Sequence, residues 1–166
     1  MGCINRSFSK SIFYLLLLSF AQVVFAQSDK PKIDIHMIYM GGNDCPPCVR
    51  WRREEFPKLK ETEAFKSIKF THVNKMISSP VPADIFLPDD VKPYKAKLDY
   101  ASSGMNGSAQ TAIMVNGEVF DYYFGWRSAQ DIEKMILAIQ TKSPYPFEAC
   151  NHRVANWQCK RNWGAS

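Results

Sequence analysis

The sequence predicts an α/β sandwich, a central mixed β-sheet flanked by helices. Three features predict it. A short β-rich apolar run at residues 33–40 leads directly into a helix start, and an alternating run at 68–74 follows that helix. The segments 110–115 and 118–124 flank Asn116-Gly117, a pair that supplies the positive φ angles of a tight hairpin turn. Finally, Ser128-Ala-Gln-Asp131 reads as a capping box, with Asp in place of the usual Glu or Gln, before an amphipathic helix. A strand–helix–strand unit completed by an antiparallel hairpin gives a sheet of mixed direction.

Residues 1–26 are expected to lie outside this fold. Arg6 and Lys10 make a basic start, residues 11–26 are apolar apart from two Ser and one Gln, and Val24-Phe25-Ala26 ends the run on small or aliphatic residues. This is the pattern of a cleaved secretory signal peptide, and the run is shorter than the ~20 residues a membrane span needs. Cleavage would leave 140 of the 166 residues and lower the formal charge from +5 to +3, since two basic residues and no acid depart. The expected location is periplasmic or secreted. Acids and bases are interspersed, with no block of five or six like charges, so the composition speaks against nucleic acid as a partner.

Along the remaining chain, Gly41-Gly-Asn-Asp44 breaks the first strand and Cys45-Pro-Pro-Cys48 follows it. From Pro47 the pattern turns helical through Val49, Trp51, Arg52, Glu55 and Phe56, and Pro57 is expected to bend or end that helix. The stretch 75–107 holds Pro80, Pro82, Pro88 and Pro93 and one helical pattern at about 89–100, and it reads as an insertion packed over the core. The last helix runs to about Gln140 with an apolar face of Ile132, Met135, Ile136 and Ile139. The expected organisation is therefore a domain over 27–143 and a C-terminal tail over 144–166.

The chemistry lies in Cys45 and Cys48. Two residues between cysteines bring both sulfurs within reach on a first helical turn, and proline suits that turn because its missing N–H would be unpaired there. Unpaired amides and the helix dipole stabilise a thiolate. Cys45 is thus expected below the free thiol value of about 8.5, within roughly 3.5–7.5. Arg50, Arg52 and Arg53 would add to that field and Asp44 would oppose it. A c-type haem site would need His where Val49 stands. A zinc site would need a second close pair, whereas Cys150 and Cys159 are nine apart; Cys150-x-His152 keeps zinc as an alternative. An inert bridge is the third alternative, weakened because so short a loop constrains the unfolded chain little. In an oxidising compartment the four cysteines left after cleavage make two disulfides most economically, and Cys150–Cys159 reads as a structural one pinning the tail, with Trp157 and Trp163 packing; the alternative is a second redox couple relaying electrons to or from Cys45–Cys48.

A strand followed by C-x-x-C at the start of a helix, with Asn116-Gly-Glu-Val119 and then Gly125 six residues later, resembles the thioredoxin superfamily over residues 33–140. The resemblance implies a thioredoxin-like fold and thiol–disulfide exchange, with Cys45 as attacking thiol and Cys48 as resolving thiol. It implies protein thiols and disulfides as partners, electrons exchanged with a membrane-bound partner, and neither organic cofactor nor metal. The chain departs from the family at three positions. Asp44 stands where thioredoxins have Trp, and Tyr39 stands where they carry a buried acid. Ala109 takes the place of the family's cis-proline, in the loop Ser108-Ala109-Gln110 that would hold substrate backbone. Because a cis bond to a non-proline costs about 2.5–4 kcal/mol, the Ser108–Ala109 bond is expected to be trans and the loop reshaped, with weaker docking or slower resolution. A second reading is a non-enzymatic binding module whose Cys45–Cys48 bridge stays closed.

Overall fold

The computed structural model describes residues 33–153. The first apolar run becomes β1 (Ile35–Met40), and all six of its residues are buried. A strand apolar on both faces belongs inside a sheet covered on both sides. β1 pairs in parallel with β2 (Lys69–Val73) and antiparallel with β3 (Gln110–Val115). β3 pairs antiparallel with β4 (Glu118–Phe124), so the order is β2-β1-β3-β4, a mixed sheet as expected. The hairpin turn has φ of 50° at Asn116 and 80° at Gly117, the signs a tight turn of this kind requires. Asn116 also anchors the entry to β1: its Oδ1 accepts from the Asp34 amide at 3.0 Å, and its own amide donates to the Asp34 carbonyl at 2.8 Å.

Side chains alternate across β1 and build two cores. On one face Ile35, Met37 and Tyr39 pack with Trp51 of α1 (Pro46–Glu54), Leu59 of α2 (Phe56–Lys60) and Phe65 of α3 (Glu63–Lys66). The same core takes Ile132, Met135, Ile136 and Ile139 from the last helix (Ala129–Thr141), the apolar face expected for it. The chain bends at Glu55, next to Pro57, and continues as α2. On the opposite face Ile38, Met40, Ala112, Met114 and Tyr122 pack with Val81, Leu87, Val91, Leu98 and Ala101. These last five all come from the stretch expected to be an insertion packed over the core. It packs over this face of the sheet and supplies the layer that an apolar second face needs.

The helix expected at about 89–100 is displaced. A 3-10 turn at Lys92–Tyr94 precedes α4 (Lys95–Ser102), since Pro93 has no amide to place inside a helix. The final helix, α5 (Ala129–Thr141), is doubly capped. Ser128 Oγ accepts from the Asp131 amide at 3.1 Å and donates to Asp131 Oδ2 at 2.7 Å. Glu55 Oε2 accepts from the Ala129 amide at 2.8 Å, while Lys58 donates to its other oxygen. The Lys58 hydrogen bond, aided by that amide, holds the Glu55 carboxyl below its usual value.

Residues 144–153 fold against β4 around one buried carboxylate. Asp121 accepts from Tyr145 Oη at 3.0 Å and the Cys150 amide at 3.0 Å, and Arg127 Nη1 lies 3.4 Å away. The Arg127 guanidinium is sandwiched between the rings of Tyr123 and Phe147, at 4.0 and 3.9 Å. Cys150 is fully buried and disulfide-bonded. Cys159, Trp157, Trp163 and the signal-like residues 1–26 lie outside the described residues, and so does the bridge expected at Cys159. Replacing Asp121 by Ala should cost about 3 kcal/mol, because Arg127 and two donors lose a buried acceptor. Urea unfolding checks this, and an unchanged midpoint would mean the tail is held otherwise.

His36, on the second face, anchors that layer. Its Nε2 is 2.9 Å from Thr71 Oγ1, which in turn donates to Asp90 Oδ2 at 2.6 Å, and its ring meets Tyr94 edge-on at 5.9 Å. Burial, reinforced by Lys69, holds the His36 pKa below its ordinary 6.5 despite Asp90 and Asp34. The folded state therefore favours the neutral ring, and the unfolded chain takes up the proton first as pH falls through 6.5. Stability is present above that pH and declines below it. A lower urea midpoint at pH 5.5 than at 7.5, with the difference reduced in His36→Gln, is the expected outcome.

Candidate functional site

At the C-terminal end of β1 the chain must turn sharply into α1, and Gly41-Gly42 makes this possible by close approach. A Cβ added at Gly41 would lie 3.0 Å from Cys48 Sγ and 3.2 Å from Tyr39 Cε1. One added at Gly42 would lie 2.3 Å from the Lys75 carbonyl oxygen and 2.5 Å from Asp44 Oδ1. Arg52 braces this turn from α1. Its guanidinium donates to the Gly41 carbonyl at 3.2 Å, the Gly42 carbonyl at 3.3 Å and Asn43 Oδ1 at 2.6 Å. His72 Nε2 adds a contact to the Gly41 carbonyl at 2.8 Å.

Cys45 is the N-cap of α1 and its Sγ accepts from the Cys48 amide at 3.3 Å. The helix begins at Pro46, one residue earlier than the pattern from Pro47 indicates, so both prolines occupy its first positions. Cys45 and Cys48 are joined in a disulfide, and both residues are fully buried. Trp51 packs: it stacks on Tyr39 at 4.3 Å between ring centroids and donates from Nε1 to the Arg127 carbonyl at 2.9 Å. The Tyr39 hydroxyl is buried with no hydrogen-bond partner among the described residues. Burial, partly opposed by Arg52, pushes its pKa up to about 12, so this residue is a neutral phenol at neutral pH.

The strand register brings the loop at 107–110 beside this turn. Met40 pairs with Gln110, which sets Ala109 next to Gly41 across the ladder. Ala109 is buried in the same core as Cys45 and Cys48. The Ser108–Ala109 peptide bond is cis, which corrects the expectation of a trans bond. The expectation weighed the dipeptide alone, whereas groups distant in sequence grip both sides of the bond. Lys75 Nζ donates to the Gly107 carbonyl at 2.6 Å and to Ser108 Oγ at 3.1 Å, and the Gly125 amide donates to the Ala109 carbonyl at 2.8 Å. Gln110 is turned inward, donating to the carbonyls of Gly107 and Met105 and accepting from Tyr122 Oη at 2.5 Å. Of the three loop residues expected to hold substrate, Gln110 thus has its side chain committed to the interior.

Sequence reasoning passed over Lys75 and the bracing role of Arg52. Lys75 sits in a polar stretch with no period to single it out. The Gly41-Gly42 pair was the available signal, because paired glycines before a motif mark a place where backbone comes close. Among the described residues, no group of three or more His, Cys, Asp and Glu is placed to hold a metal ion.

Fold and site together define an α/β protein with a disulfide across the first turn of a helix, at the end of the central strand. Comparison with known protein families, curated proteins and solved structures finds no match.

The close approach at Gly42 can be tested by adding the missing methyl group. Gly42→Ala should lose about 1–3 kcal/mol of stability, since the carbonyl it meets is main chain and cannot swing aside. Urea unfolding reads the change, and wild-type stability would show that the 75–77 segment yields without cost.

Proposed function

We propose that this chain is an exported thiol–disulfide oxidoreductase of thioredoxin-like fold that works through Cys45 and Cys48. One observation carries the reading: the Cys45–Cys48 disulfide spans the start of α1, where the Cys48 amide already points at Cys45 Sγ. The β2-β1-β3-β4 order, and Gly125 returning its amide to the loop beside the motif, agree with that fold.

In the oxidising direction a substrate thiolate attacks Cys45 Sγ. A substrate–Cys45 bond forms, the Cys45–Cys48 bond breaks, and Cys48 leaves as a thiolate that takes a proton. A second substrate thiolate then attacks the substrate sulfur of the mixed disulfide. The substrate leaves with a disulfide and the protein with two thiols. The reverse sequence reduces a substrate disulfide, with Cys45 attacking and Cys48 resolving. The partners are protein thiols and disulfides, and a membrane-bound partner restores the starting state. No organic cofactor takes part.

Titration of the full chain against glutathione, with alkylation and mass spectrometry of the Cys45–Cys48 peptide, tests this. A potential within roughly −270 to −120 mV is expected, and its place in that range distinguishes a reductase from an oxidase or isomerase. Cys45→Ser and Cys48→Ser should each abolish two-electron exchange.

A second reading is favoured by a different observation: both cysteines are fully buried. In that reading the bridge is structural and the chain is a thioredoxin-fold binding module. A pair that resists mild reductant and alkylating reagent would replace the oxidoreductase with the binding module.

A further inference from the structure

Full burial of a disulfide raises the question of what encloses it, and one side chain joins the segments around the motif. Lys75 is only 5% exposed. Its carbonyl packs into the space left by the missing side chain of Gly42. Its ammonium reaches away from the turn to the Gly107 carbonyl at 2.6 Å, Ser108 Oγ at 3.1 Å and its neighbour's carbonyl, Met76 O, at 3.2 Å. The following residue pair is tied back to the motif, since the Ile77 amide donates to Asp44 Oδ2 at 2.9 Å. Three stretches far apart in sequence, 42–44, 75–77 and 107–108, are therefore tied together beside the Cys45–Cys48 turn, and the Lys75 ammonium is the group that joins the last two.

We propose that Lys75 is a positioning residue of the disulfide site, whose ammonium holds the 107–108 loop against the 75–77 segment and so keeps Cys45 enclosed until that contact opens. This rests on the site described above and names what governs access to it. The ammonium is poised for the role. Asp44 is the carboxylate whose charge acts on it and Arg52 a cation that braces the same turn, while the 107–108 loop and Met76 offer only neutral oxygens. Burial, outweighing Asp44, brings the Lys75 pKa down to about 8, so the charge on the closing contact is lost in a mildly alkaline range.

The test is the rate at which dithiothreitol reduces Cys45–Cys48 in the full chain, quenched with iodoacetamide and read peptide by peptide. One dithiothreitol thiolate attacks Cys45 Sγ and expels Cys48, and its second thiol closes the reagent's own ring. Dithiothreitol is oxidised and both cysteines emerge as thiols. Each rate is divided by that of a reference Cys-Pro-Pro-Cys peptide disulfide at the same pH, which removes the reductant's own titration. Lys75→Met keeps the stem and removes the charge, and it should accelerate reduction about five- to tenfold by freeing the loop. Lys75→Arg should restore a rate near wild type. In the wild-type protein the normalised rate should rise as pH passes through about 8, and in Lys75→Met it should be flat. If Lys75→Met does not fold, the wild-type pH profile decides alone. A Lys75→Met rate equal to wild type, or a flat wild-type profile, overturns the proposal. The two readings fail separately. A Lys75-dependent dithiothreitol rate in a pair that never equilibrates with glutathione sinks the oxidoreductase and leaves the closing contact standing. A pair that equilibrates with glutathione at a rate indifferent to Lys75 does the opposite.

Discussion

The architecture of the site depends on a single close approach, that of the Lys75 backbone to Gly42. β1 ends in the middle of the sheet, so the chain leaving it must clear β2 on one side and β3 on the other before entering α1. A side chain at Gly42 would occupy the space that the Lys75 carbonyl fills. With that space open, the segment after β2 lies directly on the turn before Cys45, and Lys75 is placed to reach the loop before β3. The Gly41 amide, donating to the Val73 carbonyl at 3.0 Å, extends the strand pairing into the same turn. The buried disulfide thus sits beside the point where three chain segments converge.

The two cores serve this geometry differently. The face with α1 and α5 is fastened to the motif helix by specific polar contacts at its rim. Trp51 Nε1 holds the Arg127 carbonyl, and Glu55 caps α5. Both join α1 and its continuation to the region just after β4. Aromatic rings fill the interior between them, from Tyr39 on Trp51 through Phe56 to Phe65 and Phe70. The other face is built from short 3-10 turns and α4, with buried His36 and half-buried Thr71 and Asp90 as its polar link to β1 and β2. Rigid packing behind the motif helix and shorter, irregular elements behind the 75–77 segment place the deformable side of the site on the latter.

What was legible in the sequence were the features set by local rules. Asn116-Gly117, the Ser128 cap, the apolar face of α5 and the helix start at the two prolines each depend on residues within a turn or two. The features that escaped depend on residues far apart in the chain. The Lys75–Gly107 contact spans 32 positions, and the Trp51–Arg127 contact spans 76. No periodicity encodes such pairs. The stretch 75–107 is hard to read for a related reason: its buried residues are spaced among prolines, and only from Leu87 through Val91 and Leu98 to Ala101 do they keep a helical spacing. Their burial becomes visible only once a sheet with two apolar faces is in place. The geometry of the Ser108–Ala109 bond is equally hidden from the dipeptide, because the ammonium of Lys75 and the amide of Gly125 that hold its neighbours lie far away in sequence.

The structure also resolves a balance that composition leaves open, the electrostatic field acting on Cys45. Three arginines follow the motif, yet their charges are not aimed alike. Arg53 pairs with Glu54, and Arg52 is spent on the carbonyls of Gly41 and Gly42 and on Asn43. Asp44, the opposing charge, has one oxygen engaged by the Ile77 amide, and its charge acts on the Lys75 ammonium. The group directed at Cys45 Sγ is the Cys48 backbone amide at the first turn of α1. Such an amide is the kind of donor by which a helix terminus stabilises a thiolate. Under the two proposals the roles would divide: the helix terminus would tune the reactivity of Cys45, and the Lys75 contact would govern access to it.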